Sequence, residues 1–300
     1  MLSMRQSAHS GQACFDRKLM ALMHPSIRSA LFVPANRPAR MEKALAAGAD
    51  TVIVDLEDAV PPEDKVQART FLAASLARER PVVVRINGAD TPWFRDDCAI
   101  LHLPGVAGAM LPKAERIDEG FLFSCEGAGV PVMPIIESAI GLNNVQVIAR
   151  ARGVQCLVFG SIDFQLDLGI TEETDELLPY RAQIVLASRL AGIAPPIDGV
   201  STALDAPDSL RDDCNRARRL GFGGKLCIHP RQVEIVNQCF APSEEEVAWA
   251  HRVLDAAAQS GGAAVAVDGH MVDRPVMMRA QAIVREAGER ALRGVRPSRN

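Results

Sequence analysis

The sequence predicts a protein of the α/β class, a (β/α)8 TIM barrel with a C-terminal helical extension that forms a lid. Eight short apolar runs, rich in β-branched residues, recur about every 25 to 30 residues between helix-like segments. Each run is apolar over four or five residues, as in strands of a parallel sheet buried on both faces. An open doubly wound sheet is the alternative. No G-x-G-x-x-G motif follows the first run, which disfavours the dinucleotide-binding form of that alternative.

The predicted strands and helices alternate along the chain. The strands are Ala30–Val33, Thr51–Val54, Val82–Ile86, Ala107–Leu111, Val132–Ile136, Cys156–Phe159, Ile197–Ser201 and Lys225–Ile228. The helices are Pro38–Gly48, Pro62–Arg80, Ser138–Arg152, Glu176–Ala191, Pro207–Leu220, Arg231–Phe240 and Ser243–Gln259. The first helix opens with proline and closes with glycine, and the last opens with a capping box from Ser243 to Glu246.

Three regions follow from this pattern. Residues 1–27 are predicted to be a flexible N-terminal extension, because they lack both the strand pattern and the continuous apolar core of a signal peptide. Residues 28–260 are predicted to form the barrel. Residues 261–300 exceed what a barrel needs and are predicted to be a lid or an oligomer contact. Within that last region, Gly261–Val267 would be a strand or a hinge, and Val276–Leu292 a final helix.

Composition excludes several classes of protein. The 33 basic and 37 acidic residues give a net charge of −4, which argues against a nucleic-acid-binding protein. No run approaches the roughly 18 apolar residues of a membrane span. The seven cysteines are scattered without a C-x-x-C pair, as expected for a cytoplasmic protein with reduced thiols.

Polar residues directly follow six of the eight predicted strands. In a TIM barrel the catalytic groups lie at these carboxyl ends, so the pattern indicates an active site there. The end motifs are Asp55-Leu56-Glu57-Asp58, Arg85-Ile86-Asn87, Pro112-Lys113-Ala114-Glu115, Glu137-Ser138, Gly160-Ser161-Ile162-Asp163 and His229-Pro230. We expect His229 to be a hydrogen-bonded structural residue before proline rather than a general base.

Glu137 and Asp163 follow neighbouring strands, and their carboxylates are the hard oxygen ligands that Mg²⁺ prefers. The alternative is that each carboxylate caps the helix that follows it.

Arg85 lies inside an apolar run, where a guanidinium needs a fixed anionic partner. It either clamps a substrate oxyanion or forms a structural ion pair with Asp55 or Glu57. These two acidic residues share one face of an extended strand. One of them could support the metal, and another could pair with Arg85 or Lys113.

A set of ordered motifs resembles the citrate lyase beta-subunit-like (CitE-like) family of the HpcH/HpaI aldolase superfamily. The resemblance runs from about Arg28 to about Ala291. The motifs are Leu31-Phe32-Val33-Pro34-Ala35-Asn36-Arg37-Pro38, Gly48-Ala49-Asp50, Asp55-Leu56-Glu57-Asp58-Ala59-Val60, Val84-Arg85-Ile86-Asn87, Leu111-Pro112-Lys113, Ile136-Glu137-Ser138-Ala139, Phe159-Gly160-Ser161-Ile162-Asp163, Asp167-Leu168-Gly169, Gly224-Lys225-Leu226-Cys227-Ile228-His229-Pro230 and Met271-Val272-Asp273-Arg274-Pro275.

The resemblance implies a TIM barrel assembled as a homotrimer or a pair of trimers. It also implies site roles, which are these: Mg²⁺ ligands Glu137 and Asp163; Arg85 on the substrate oxygens near the breaking bond; Phe32, Arg37 and Lys43 along the coenzyme A tail; Lys113 in support; and Asp273 as an acid/base on the lid of a neighbouring subunit. Without the resemblance, Asp273 is a turn aspartate before Pro275.

The activity implied is that of a Mg²⁺-dependent lyase that cleaves or forms a small 3-hydroxyacyl-CoA, such as malyl-, citramalyl- or citryl-CoA. Four alternatives stay open: a thioesterase on the same substrates, an aldolase on free 2-oxo acids, a citrate-lyase-type subunit that needs an acyl-carrier partner, and a non-catalytic barrel. In the motif Phe159-Gly160-Ser161-Ile162-Asp163-Phe164-Gln165 the sequence departs from the family at Ile162 and Phe164, which leaves the acyl group open.

Overall fold

The computed structural model describes residues 27–259 and 265–294, with side chains up to 290. Eight parallel strands close into a barrel in chain order, with β1 paired to both β2 and β8, so the predicted (β/α)8 fold is confirmed. The strands are β1 (Ser29–Pro34), β2 (Thr51–Asp55), β3 (Val82–Arg85), β4 (Val106–Leu111), β5 (Val132–Ile136), β6 (Val158–Phe159), β7 (Ile197–Asp198) and β8 (Gly224–Cys227).

Both faces of the barrel wall are apolar, which explains why the strands lack a polar alternation. Ile53, Val83 and Met110 belong to the inner cluster of the barrel, and the next residues along each strand pack toward the helices. The outer cluster is the larger of the two and joins the sheet to the helical layer. Burial on both sides therefore stabilises each strand from the barrel interior and from the helical layer.

Ten helices follow the strands of the barrel. They are α1 (Pro38–Leu45), α2 (Lys65–Ser75), α3 (Phe94–Ile100), α4 (Glu119–Ala128), α5 (Ala139–Asn143), α6 (Val145–Arg150), α7 (Ser161–Leu168), α8 (Leu178–Ala191), α9 (Pro207–Leu220) and α10 (Pro230–Cys239). Two 3₁₀ turns, Pro62–Asp64 and Asp175–Leu177, precede α2 and α8.

The helical layer differs from the prediction at five places. The helix predicted over Pro62–Arg80 ends at Ser75, because Leu76 is extended. The single helix predicted over Ser138–Arg152 is divided into α5 and α6 at Asn144, whose φ of −93° and ψ of 3° leave the helical region. The helices α3, α4 and α7 were not predicted. Two of them have only seven and eight residues, and α4 contains two glycines, so neither length nor periodicity marks them in the sequence.

The chain divides into two compact units between Phe240 and Ala241. The second unit contains α11 (Glu244–Gln259), the antiparallel pair β9 (Val265–Val267) and β10 (His270–Val272), and α12 (Arg274–Gly294). The observed boundary lies before the one predicted after residue 260, because Ala250 and Val253 of α11 form one apolar cluster with the strand pair and α12. The segment predicted as a strand or a hinge contains β9, and its residues 261–264 lie outside the described residues.

The predicted N-terminal extension, up to residue 26, also lies outside the described residues. Among the helices within 27–259 and 265–294, none is both long and apolar enough to cross a membrane.

Candidate active site

The loop after β2 and the end of β3 form an ion-pair cluster at the carboxyl end of the barrel. The register places Asp55 opposite Arg85. Both oxygens of Asp55 accept hydrogen bonds from Arg85, from Nε and Nη2, at 2.7 Å each. The Nη1 atom of Arg85 lies 2.9 Å from Glu57 and 3.8 Å from Asp58. Arg85 thus pairs with both Asp55 and Glu57, whereas the sequence predicted an ion pair with one of them.

Three carboxylates of the ion-pair cluster fix the position of Arg85 and keep it charged. Burial by itself lowers the pKa of Arg85, but the carboxylates of Asp55, Glu57 and Asp58 outweigh this and hold the pKa above its ordinary value. A guanidinium has five N–H donors, and Nε and Nη2 each give one to Asp55. The contact of Nη1 with Glu57 is an ion pair without a hydrogen bond, so the N–H groups of Nη1 are not bonded to this carboxylate.

Phe32 lies against this guanidinium. The Arg85 carbon Cζ is 4.9 Å from the centre of the Phe32 ring, which is a cation–π contact. The resemblance placed Phe32 along the coenzyme A tail. In the structure its ring packs against Arg85, on the inner side of β1, and its role toward coenzyme A stays a prediction.

Lys113 joins two carboxylates across the ends of the strands. Its main-chain N–H donates to Oε1 of Glu137, and its Nζ donates to Oε1 of Glu57 at 2.7 Å. Its φ of 48° is in the left-handed region, which non-glycine residues rarely occupy. The support that the resemblance implied for Lys113 therefore includes a main-chain contact as well as its charge.

Glu137 is buried in a narrow space beside Gly160. A Cβ on Gly160 would lie 2.5 Å from Oε2 and 2.6 Å from Cβ of Glu137, so only glycine fits there. Burial raises the pKa of Glu137 to about 8, and the negative charges of Glu57 and Asp163 add to the shift. A cation bound beside Glu137 would favour the ionised form of this carboxyl group and lower its pKa again.

The two carboxylates do not serve as helix caps. The cap of α5 is Ser138, whose Oγ accepts the N–H of Gly141 at 3.1 Å. Asp163 lies within the first turn of α7, one turn from the N-cap position at Gly160. Glu137 and Asp163 are therefore free to act as metal ligands.

The donor set fits Mg²⁺. In the described part of the chain, no three His, Cys, Asp or Glu residues converge as a complete metal site. Glu137 and Asp163 are two hard carboxylates from adjacent strand ends, and Mg²⁺ is usually held by one or two carboxylates together with substrate and water.

Lys65 supports the ion-pair cluster and was not found by sequence reasoning. Its buried ammonium donates at 2.7 Å to the carbonyls of Leu56 and Glu57 and to Oδ1 of Asn87. Asn87 in turn donates to a carboxylate oxygen of Asp97 at 2.6 Å. In the sequence Lys65 is a lysine at the start of a helix, which is common on exposed faces. Its contacts with Leu56, Glu57 and Asn87 therefore could not be predicted from the sequence.

The other predicted residues lie on α1, on the turn before α12 and at the start of α10. Arg37 and Lys43 are exposed at the N-terminal and C-terminal ends of α1. Asp273 belongs to the second unit, where its Oδ1 accepts the N–H of Val276 at 3.2 Å, as a capping residue does. His229 caps α10 by accepting the N–H of Arg231, which confirms its structural role.

Comparison with known proteins agrees with this architecture. The family model "HpcH/HpaI aldolase/citrate lyase" matches residues 28–230. A citrate lyase subunit beta-like protein of Deinococcus radiodurans is 37% identical over 275 residues, covering 86% of this chain and 96% of that protein.

Two relatives from Cereibacter sphaeroides carry different activities. A (3S)-malyl-CoA thioesterase is 34% identical, covering 83% of this chain and 90% of its own. An L-malyl-CoA/beta-methylmalyl-CoA lyase is also 34% identical, covering 87% and 94%.

The crystal structure of CitE from Mycobacterium tuberculosis in complex with magnesium, acetoacetate and coenzyme A is a solved relative. It superimposes with a TM-score of 0.77 at 34% identity, covering 88% of this chain and 98% of that one. With the closed barrel and the polar strand ends described above, these similarities establish that the chain belongs to the HpcH/HpaI aldolase/citrate lyase family.

Proposed function

We propose that this protein is a Mg²⁺-dependent carbon–carbon lyase that cleaves or forms a small 3-hydroxyacyl-CoA. The products of cleavage are a 2-oxo acid, such as oxaloacetate when the substrate is citryl-CoA, and an acyl-CoA. The observation that supports the proposal is that contacts connect a buried carboxylate, Glu137, with a fixed guanidinium, Arg85, at one end of the barrel. Lys113 contacts Glu137 and Glu57, and Glu57 contacts Arg85.

Cleavage of such a substrate needs charge stabilisation at the oxygens next to the breaking bond. A base takes the proton of the 3-hydroxyl, whose oxygen becomes a carbonyl. The C2–C3 bond breaks at the same time, and its electron pair passes into the thioester enolate. Arg85 presents the N–H donors of Nη1 to the oxygens on which negative charge develops. Glu137 and Asp163 would hold Mg²⁺, which supplies Lewis-acid polarisation of substrate oxygens when it is bound.

The enolate must gain a proton at C2, and we assign this step to Asp273. Its position in the second unit, on the turn before α12, suits a residue brought to the reaction by a lid. We further propose a homo-oligomer, a trimer or a pair of trimers, in which the lid of one subunit serves the barrel of another.

Arg37 and Lys43 are proposed to bind the phosphates of coenzyme A. Both are exposed cations on α1, which directly follows β1. Exposed cations suit a ligand whose charged end stays near water. The solved relative that contains both magnesium and coenzyme A supports this choice of ligands.

A thioesterase is the second candidate, and the thioesterase relative from Cereibacter sphaeroides favours it. The same cluster could polarise a thioester carbonyl for attack by water. The products then differ, because hydrolysis gives free coenzyme A and the hydroxy acid instead of a 2-oxo acid.

A product assay separates the two candidates. The purified protein is given malyl-, citramalyl- and citryl-CoA with Mg²⁺, and the assay is repeated with EDTA. EDTA-sensitive release of glyoxylate, pyruvate or oxaloacetate supports the lyase and names its substrate. Free coenzyme A without a 2-oxo acid would replace the lyase with the thioesterase. If neither product forms although Mg²⁺ binds, the protein requires another acyl group or an acyl-carrier partner, as a citrate lyase subunit does.

A further inference from the structure

A line of polar contacts runs from β8 to the first turn of α7, the turn that carries Asp163. Lys225 lies 3.6 Å from Asp198, whose other oxygen accepts Nε of Arg181 at 2.9 Å. The Nη2 atom of Arg181 is 3.1 Å from Glu173, and the same Glu173 oxygen accepts the hydroxyl of Ser161 at 2.8 Å. Nothing in the proposed chemistry uses these residues.

The far end of this line is rigid. The β7–β8 register places Asp198 beside Lys225, and the side chains of Asp198, Arg181 and Lys225 have at most 1% of their surface exposed. Charges buried this deeply persist only when they are paired, so the cluster has little freedom to rearrange. Arg181 also lies over the ring of Phe159, at 5.5 Å from its centre. Arg181 is therefore fixed in place, and its hydrogen bond holds the carboxylate of Glu173.

The near end of the line reaches the turn that carries Asp163. Ser161 is the first residue of α7, two positions before Asp163, and the N-cap residue Gly160 has no side chain with which to anchor the turn. Ser161 also requires its neighbour to be glycine, because a Cβ on Gly199 would lie 2.9 Å from the Cβ of Ser161. Its hydroxyl is thus held in a tight site that directs it to Glu173.

Apolar contacts hold α7 on its buried side from the end of its first turn, at Phe164, and the polar line holds the start of that turn, at Ser161. The ring of Phe164 packs against Phe159 and Tyr180 at centre distances of 5.3 and 5.0 Å. At the other end of α7, Asp167 accepts the N–H of Ala139 at 2.7 Å. The hydrogen bond from Ser161 to Glu173 therefore anchors the end at which Asp163 lies.

We propose that Ser161, Glu173 and Arg181 are positioning residues that hold the first turn of α7 so that the carboxylate of Asp163 stays beside Glu137. This inference rests on the proposed function, since it assumes that the two carboxylates bind the divalent cation. The three residues act through the main chain of the turn. Partners of this kind typically change metal affinity by about 10–100-fold when they are removed.

The test measures binding of Mn²⁺, the probe in place of Mg²⁺, to the full chain by electron paramagnetic resonance. We expect Ser161→Ala and Glu173→Ala to weaken Mn²⁺ binding by about tenfold or more. Glu173→Gln keeps an oxygen acceptor for Ser161 and should recover most of the affinity. Glu172→Ala removes an adjacent exposed carboxylate and should leave the affinity unchanged. Loss of Arg181 would leave Asp198 with Lys225 alone in the core and the chain could fail to fold, so the variants are placed at Ser161 and Glu173.

A second readout follows the turn itself. Hydrogen exchange of the amides of residues 160–166 should be faster in Ser161→Ala and Glu173→Ala than in the wild type and in Glu172→Ala. Equal Mn²⁺ affinity and equal exchange in all variants would overturn the positioning role and leave the proposed function intact. A wild-type protein that binds no Mn²⁺ would overturn the metal assignment and this inference together. Whether the products are those of a lyase or a thioesterase affects neither readout.

Discussion

Arg85 and Asp55 form a two-point ion pair, with both carboxylate oxygens 2.7 Å from guanidinium nitrogens, at the ends of neighbouring strands. The main-chain N–H groups of Glu57 and Ala59 also donate to Asp55, so this carboxylate shapes the loop as well as holding the cation. An arginine aimed in this way is organised in advance for a developing oxyanion.

Asp55→Asn should lower the free energy of unfolding by about 1.5–3 kcal/mol, the usual contribution of hydrogen bonds to a charged group. The neutral amide keeps one acceptor but loses the second, and the charge of Arg85 is then balanced by Glu57 and Asp58. Denaturant unfolding measures the change. The matched control is Glu42→Gln, which breaks an exposed two-point pair with Arg80 and should have no measurable effect on stability. Equal effects of the two variants would contradict the structural role of Asp55.

Binding of Mg²⁺ should strengthen as the pH rises and level off above about pH 8. Burial raises the pKa of Glu137 to about 8 in the metal-free protein, so below that value a proton occupies the carboxylate and competes with the cation. The apparent Kd should fall about tenfold per pH unit on the acid side. Isothermal titration calorimetry between about pH 6 and pH 9 measures this dependence. A flat profile would show that Glu137 is already ionised, and Glu137→Gln should abolish both Mg²⁺ binding and Mg²⁺-dependent turnover.

Gly160→Ala should weaken Mg²⁺ binding and turnover together. The added Cβ would lie 2.5 Å from Oε2 of Glu137, so the carboxylate has to move. Movement would disturb its hydrogen bond with the main-chain N–H of Lys113. Gly127→Ala is the control, since its Cβ would meet only His102 at an ordinary 3.6 Å and alanine is favoured within α4. Metal affinity unchanged in Gly160→Ala would place the cation away from Glu137.

Asp273→Asn should lower kcat by about 10²–10⁴-fold and leave coenzyme A binding nearly unchanged. Asparagine caps a helix about as well as aspartate, so the contact with Val276 survives and the loss reports on proton transfer. If the lid acts between subunits, hybrids of inactive Asp273 and Arg85 variants should regain part of the activity. Verified hybrids that stay inactive would exclude action between subunits.

Arg37→Ala should raise KM for an acyl-CoA about two- to fivefold with kcat unchanged, because an exposed cation contributes modestly to phosphate binding. Arg78→Ala is the matched control, since this exposed arginine precedes β3 and lies toward the opposite end of the barrel strands. Unchanged KM in Arg37→Ala would favour a substrate without coenzyme A, such as a free 2-oxo acid.

The strand ends could be read from the sequence because they combine two local signals. An apolar run such as the one before Glu137 is recognisable without its partners, and a charge directly after it is unusual enough to notice. Short helices such as α7 have no comparable signal. The division of the predicted helix at Asn144 was also missed, because it depends on how α5 and α6 pack on the barrel.

The sequence by itself determined the barrel, the family and the carboxyl ends at which the polar residues gather. Parallel strands that are buried on both faces must be apolar along their whole length, and this pattern can be recognised in one sequence by itself. Only the tertiary structure decided which charges meet: Arg85 with two carboxylates, Lys65 with two loop carbonyls, and Ser161 with Glu173. The physical reason is that these contacts depend on strand register and close approach between elements, which no local pattern of residues encodes.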